Sequence, residues 1–138
     1  MKLTRWTAII HTLFFALLLL AGIARADWTG AETGKEIAWE ALHLLDWGTT
    51  LDIADNPDMY YEGGPAALFI GRHPSRTAVN LYMGIGAVVH PIITHLLPRK
   101  FNLFGWETKP KTWFQNISLI GSGACVANNF GVGLRLAF

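Results

Sequence analysis

The run TAVNLYMGIGAVVHPIITHLLP, residues 77–98, contains no Asp, Glu, Lys or Arg. The hydrocarbon core of a bilayer demands about 20 predominantly apolar residues of helix. A charge-free run of this length therefore narrows the chain's options more than anything else in it. Pro91 lies inside the run, and membrane helices tolerate that when neighbours satisfy the freed carbonyl. The wider composition agrees. Of 138 residues, 51% are hydrophobic and 15% charged, where soluble domains carry about 25% charged residues. The length allows one domain. A net charge of +1 lacks the clustered basic face that a nucleic-acid partner would need. The bilayer itself is the expected partner, with a homo-oligomer or a second membrane protein beside it.

Two further apolar segments flank this one. At the N-terminus, Lys2 and Arg5 precede an apolar stretch over residues 7–23, and Ala24-Arg25-Ala26 matches a small-x-small cleavage pattern. Residues 1–26 read as a signal peptide or an uncleaved signal anchor, and both place residue 27 outside. Residues 113–131 form the other segment. Its small residues Ser118, Gly121, Ser122 and Cys125 recur at helical spacing, which permits close helix–helix approach in lipid. Cys125 is the lone cysteine, so an intramolecular disulfide is excluded.

Residues 34–54 have the Ala/Leu/Glu composition of a helix. Glu36, Glu40, His43, Asp46 and Thr50 follow steps of three and four, giving a polar stripe on a helix with an apolar remainder. Asn56-Pro57 should end it. A Pro- and Gly-rich loop follows over 55–75, with Ser75 placed to cap the next helix. Arg99, Lys100, Lys109 and Lys111 make 99–112 a basic loop. Positive-inside bias puts that loop in the cytoplasm, provided that helix 34–54 lies at the outer interface or against the bundle without crossing.

The expected fold is an all-α membrane protein: two to three transmembrane helices plus one polar-faced amphipathic helix, multi-pass in a bacterial inner membrane. The chain's end, NNFGVGLRLAF, alternates apolar and small residues and closes on Phe138, so a small outer-membrane β-barrel is the alternative. Barrel strands would consume nearly all the mature chain, and neither 34–54 nor 77–98 alternates. A short extended tail after a helix is the preferred reading of the end.

No HExxH, CxxC, GxSxG or phosphate-binding glycine loop occurs. No catalytic residue, metal ligand set or cofactor is assigned, and a non-enzymatic role is expected. The candidate polar cluster is His43, Asp46, Thr50, His90 and Asn128. His43, Asp46 and Thr50 share one helical face, with Asp46 as a partner for His43 or for His90. The competing reading of this stripe, extended through Glu36 and Glu40, is a solvated face with local hydrogen bonds. His90 lies mid-segment, where a polar group must find a partner, and ionisable groups at that depth suggest function. A proton, metal or haem site using His43, Asp46 and His90 is the rival to a component acting by self-association or through a partner.

The order of landmarks is Asp46-Trp-Gly-Thr-Thr, Glu62, Pro65, Gly71, His73-Pro-Ser, an Asn/Tyr/His-bearing apolar helix and a late Asn. It resembles a group of small multi-pass inner-membrane proteins of proteobacteria and their phages. Similar members often read D-x-x-Q-T and E-x-N-P-x-L-G-x-x-P-S. Here Thr49 stands in place of the Gln, and the stretch from Glu62 to Gly71 is longer. The resemblance covers about residues 36–135 and implies an inner-membrane location without an assigned activity.

Overall fold

Thr29 starts the first helix. Its hydroxyl accepts a hydrogen bond from the Glu32 N–H (3.2 Å), and the Glu32 carboxylate accepts from the Thr29 N–H (2.7 Å). This reciprocal capping box satisfies two of the orphan donors at a helix N-terminus. In a computed structural model that describes residues 28–138, helix α1 accordingly runs Gly30–Asp55. It begins earlier than the expected 34, because the cap acts before the apolar pattern does. Asn56 closes the other end, its backbone N–H and side-chain amide both donating to the Asp52 carbonyl, and Pro57 follows. The signal or anchor expected over 1–26 lies outside the described residues.

The loop after α1 contains one helical turn, α2, Ala67–Ile70. Glu62 organises this loop. Its N–H donates to the Arg72 carbonyl (2.7 Å) and its carboxylate accepts from the Gly64 N–H (2.7 Å). A Cβ on Gly64 would stand 2.8 Å from that carboxylate, so a side chain there would have to push the Glu62 carboxylate aside. Ser75 caps helix α3, Arg76–Leu96, as its position suggested, accepting from the Ala78 N–H. The expected basic loop is partly ordered into a hairpin, strand β1 (Phe101–Leu103) antiparallel to β2 (Trp106–Thr108). Phe104 and Gly105 both have positive φ (50° and 86°), as a two-residue hairpin turn requires. Pro110 then opens helix α4, Pro110–Gly131. It starts three residues before the expected 113, since proline suits the first helical position.

α1 is the central helix, packed along both α3 and α4, which touch each other little. Contacts along α1 and α3 run in opposite order: Glu36 with His90, His43 with Met83, Trp47 with Asn80, Asp55 with Arg76. Those with α4 rise together, Glu36 with Gln115 and Asp46 with Asn129. The result is an up-down-up bundle. Helix 34–54 thus packs along the bundle over its length.

After α4 the chain turns back without regular structure. The Arg135 N–H donates to Asp52, the Ala137 N–H donates to the Gly48 carbonyl, and Leu134 is buried. This is the extended tail. The described residues are mostly helical with two three-residue strands, and the barrel alternative gives way to a helical bundle.

The polarity of the bundle is reversed from that of a soluble domain. Among the described residues nine buried side chains are polar or charged, as many as the seven hydrophobic ones and two prolines together. Leu81, Ile85, Val89, Ile92 and Leu96 on α3, and Trp113, Ile117 and Ile120 on α4, face outwards. Among the described residues one helix, α3, is long and apolar enough to cross a membrane, and only 28% of its most apolar stretch lies buried.

Candidate functional site

The centre of the polar interior is Glu36, which is 1% exposed. Its carboxylate stands 2.6 Å from His90 Nδ1 through one oxygen. Through the other it accepts from the Gln115 side-chain amide at 3.2 Å. That amide also donates to the Glu32 carbonyl at 2.9 Å. One residue from each long helix therefore meets at a single carboxylate. Burial of this kind is tolerable only with partners, because an unpaired buried charge costs several kcal/mol, roughly.

His90 is held on every side but one. Trp39 stacks on one ring face, nearly parallel at 3.5 Å between centroids, and Phe114 stacks at 4.7 Å. The carboxylate beside Nδ1 assigns the proton there, since that contact then becomes a charge-assisted donor–acceptor pair. Nε2 is then a bare lone pair. It is buried and has no hydrogen-bond partner among the described residues, and the same holds for Thr94 Oγ1, one turn further along α3, and for Gln115 Oε1. A carboxylate fixing one imidazole nitrogen while the other is left open is the arrangement that orients a histidine to accept a proton or a metal. Among the described residues no group of three or more His, Cys, Asp or Glu is placed to hold a metal ion.

The other expected residues are distributed differently. His43 does not meet Asp46. Its Nε2 donates to the Met83 carbonyl at 2.9 Å, and its ring stacks on Trp39 at 4.7 Å between centroids. Gly86 makes room for it, since a Cβ there would lie 3.1 Å from the imidazole. Asp46 pairs with neither histidine: it accepts from the Asn129 amide (2.9 Å), which also donates to Thr49 Oγ1. Thr50 is buried as expected but belongs to neither cluster. Asn128 faces outwards, and Asn129 takes the role expected of it. The inward face of α4 carries Lys111, Gln115, Ser122, Val126 and Asn129 at spacings of three, four and seven, and Asn128 lies a third of a turn away.

Among the small residues, Ser118, Ser122 and Cys125 are half-buried while Gly121 is exposed. A Cβ added to Gly121 meets nothing within 4 Å, whereas one on Gly123 would meet Leu42. The tight contact expected at Gly121 is not made among the described residues, because that side of α4 points away from α1.

Sequence reasoning missed Glu36 and Gln115 as the partners of His90, and Trp39 as its stacking surface. Glu36 had been assigned to the wet face of an amphipathic stripe. Its heptad spacing to His43 and Thr50, both buried, was the available signal. No family model, curated protein or solved structure matches the chain.

Proposed function

We propose that this chain is a small, non-enzymatic integral membrane component. Helices α1, α3 and α4 cross the bilayer together, and the Glu36–His90 pair between them accepts a proton within the bundle. The reversed polarity carries this reading: a hydrogen-bonded polar seam inside, large apolar side chains outside. Water offers no reason to arrange a chain so, but lipid does, since hydrocarbon solvates Leu and Ile and strands every unpaired polar group.

The dimensions support it. The ion pairs Arg99–Glu32 and Arg76–Asp55 mark opposite ends of α1. At 1.5 Å per residue, positions 32 to 55 stand about 35 Å apart, enough to bracket a hydrocarbon core of about 30 Å. Exposed aromatic residues collect near both ends, Tyr61 and Phe69 at one, Phe101, Phe104, Trp106 and Trp113 at the other, as the two belts of a membrane protein do. Because α1 lies antiparallel to α3 throughout, the two share the same depth. A crossing by one is a crossing by both.

The chemistry of the seam is proton acceptance. An imidazole with Nδ1–H donating to Glu36 presents a bare Nε2 lone pair to the bundle, the atom at which a proton would be accepted. Imidazole ¹⁵N spectra of the full chain in nanodiscs test this. His90 should show Nδ1 protonated and Nε2 bare, with the pattern lost in Glu36→Ala and kept in Glu36→Gln, whose carbonyl still accepts from Nδ1. A His90 that carries its proton on Nε2, or a pattern indifferent to Glu36→Ala, would overturn the proposal.

Gly121 and Asn128 supply a second reading, self-association. Seven residues apart, both lie on the outward face of α4, where a small residue permits approach and an amide in lipid gains from a partner. Gly121→Leu should then lower the oligomeric state in sedimentation measurements while leaving the fold intact.

A further inference from the structure

The β1–β2 hairpin presents an unpartnered apolar surface to its surroundings. Phe104 at its tip is 94% exposed and Trp106 is 78% exposed, and Phe101 and Leu103 are about half exposed. None of these side chains is needed to hold the bundle together. Water alone gives no reason to place four large apolar residues on eight residues of hairpin. The segment 99–111 around them carries four basic residues and one acidic residue, Glu107. Arg99 pairs with Glu32 and Lys100 with Glu107, while Lys111 lies over the Trp28 ring. Lys111 is buried, so Lys109 is the exposed cation at the root of the aromatic tip with no acidic partner among the described residues, beside the solvent-facing Lys100–Glu107 pair.

We infer that this hairpin inserts its Phe104–Trp106 tip into the membrane interface and that the basic residues at its root contact anionic lipid headgroups. Three observations select lipid as the occupant. The hairpin follows α3, a helix apolar and long enough to span, after four residues, so its level is that of the span's end. Aromatic rings favour the headgroup level. The excess of Lys and Arg complements anionic headgroups, each such residue near the surface strengthening attraction roughly fivefold. The turn supports insertion, because two positive-φ residues fold the strands tightly and leave a blunt wedge with paired backbone groups.

This inference rests on the membrane reading above, and the experiment separates the two. The full chain, with Cys125→Ser, is labelled with a polarity-sensitive fluorophore through Asn102→Cys on β1 or, separately, through Ile85→Cys on the outer face of α3. Each is reconstituted into phosphatidylcholine vesicles with and without phosphatidylglycerol. Quenching by aqueous iodide and by lipids spin-labelled near the headgroup or deep in the chain is then read. The 102 label should be quenched by the shallow lipid probe and shielded several-fold from iodide. Shielding should be greater with phosphatidylglycerol and reduced by Lys100→Glu with Lys109→Glu. Replacing the tip by Phe104→Ser with Trp106→Ser should expose the label, and the high exposure of both side chains means that the fold survives the change. Full iodide access at 102 with deep quenching at 85 would overturn the hairpin proposal and leave the bundle in the membrane. Shallow quenching at 102 with none at 85 would support the hairpin and overturn the crossing bundle. Shielding at 102 indifferent to phosphatidylglycerol would overturn the headgroup contact.

Discussion

Truncating Glu36 tests the polar seam most directly. Its carboxylate accepts from His90 Nδ1 and from the Gln115 amide, and both partners are buried. Glu36→Ala leaves two donors facing a void. A buried group deprived of its partner costs about 1–3 kcal/mol. Gln115 retains one bond, to the Glu32 carbonyl, so the smaller figure applies to it. His90 can move its proton to Nε2 but then strands it there, because Nε2 has no partner either. Adding the lost packing beneath Trp39, the expected destabilisation is about 2–5 kcal/mol. Glu36→Gln should cost less, about 1 kcal/mol. The new carbonyl can still accept from His90, and the unpartnered Gln115 Oε1 can rotate to meet the new amide at the loss of its bond to Glu32. Lys35→Ala, one residue away, should stay within about 0.5 kcal/mol. Equilibrium unfolding of the three variants in one mild detergent, read as midpoint and slope, measures the differences. If Glu36→Ala is no worse than Lys35→Ala, the carboxylate sits on a wet face and the seam does not exist.

Other outcomes follow from single contacts. Gly86→Ala should destabilise by about 1 kcal/mol or more, because its Cβ presses on an imidazole fixed by Trp39 and the Met83 carbonyl; Gly84→Ala, whose Cβ would make only an ordinary 3.9 Å contact with Trp47, should be neutral or stabilising in the same unfolding assay. Asp46→Ala should cost about 1 kcal/mol by depriving the Asn129 amide of an acceptor, and more than Glu40→Ala, since Glu40 has no hydrogen-bond partner among the described residues. At the polar end of α1, outside the apolar span, the Arg99 guanidinium holds the Glu32 carboxyl at about 2, below its ordinary 4.5, helped by the Thr29 N–H. A depressed carboxylate stabilises fully above its unfolded value and loses that contribution as it protonates. Thermal stability should therefore fall from about pH 4.5 towards pH 2 more steeply in the parent than in Glu32→Gln; equal slopes would refute the pairing.

The elements were legible in the sequence because each is marked locally. Ser75 capped α3, Asn56-Pro57 ended α1, and the uncharged run became a long helix with Pro91 inside it. The candidate site was legible only in part. His90 stood out because it was isolated in an apolar segment, and a lone polar group there needs a partner. Which partner it takes depends on register between helices, and no single-helix periodicity contains that. Glu36 could be read as solvent-facing because an amphipathic stripe looks alike whether its polar side faces water or a polar core. The same ambiguity hid Gln115 and exchanged Asn129 for Asn128: one residue of offset on a helix rotates a side chain by about 100°. Gly121 failed for the complementary reason. Small residues mark a face that could be approached, and here α1 approaches the side of Gly123 instead.

Packing also forces a choice between two expectations about orientation. Residue 28 and the basic segment lie at one end of the bundle, joined by Arg99 on Glu32 and Lys111 over Trp28. The condition under which a cytoplasmic 99–112 loop agreed with an outer residue 27 was that α1 does not cross. If α1 crosses beside α3, both features share a side. The basic residues at that end are Lys35, Arg99, Lys100, Lys109 and Lys111; Arg72, Arg76 and Arg135 stand at the other. Five against three is a modest positive-inside bias for the hairpin end, and orientation is usually set by the first apolar segment. That segment carries Lys2 and Arg5 before it, which favours the cytoplasm for its start and the outside for residue 27. The hairpin end should therefore be external, against the sequence-based expectation for its loop. With Cys125→Ser as background, a membrane-impermeant thiol reagent on intact cells should label Asn102→Cys, and should label Asp58→Cys only after the membrane is opened. The reverse pattern would put the basic end inside and require that residues 7–23 do not carry the chain across. Labelling of both in intact cells would mean that the bundle lies on the membrane and does not span it.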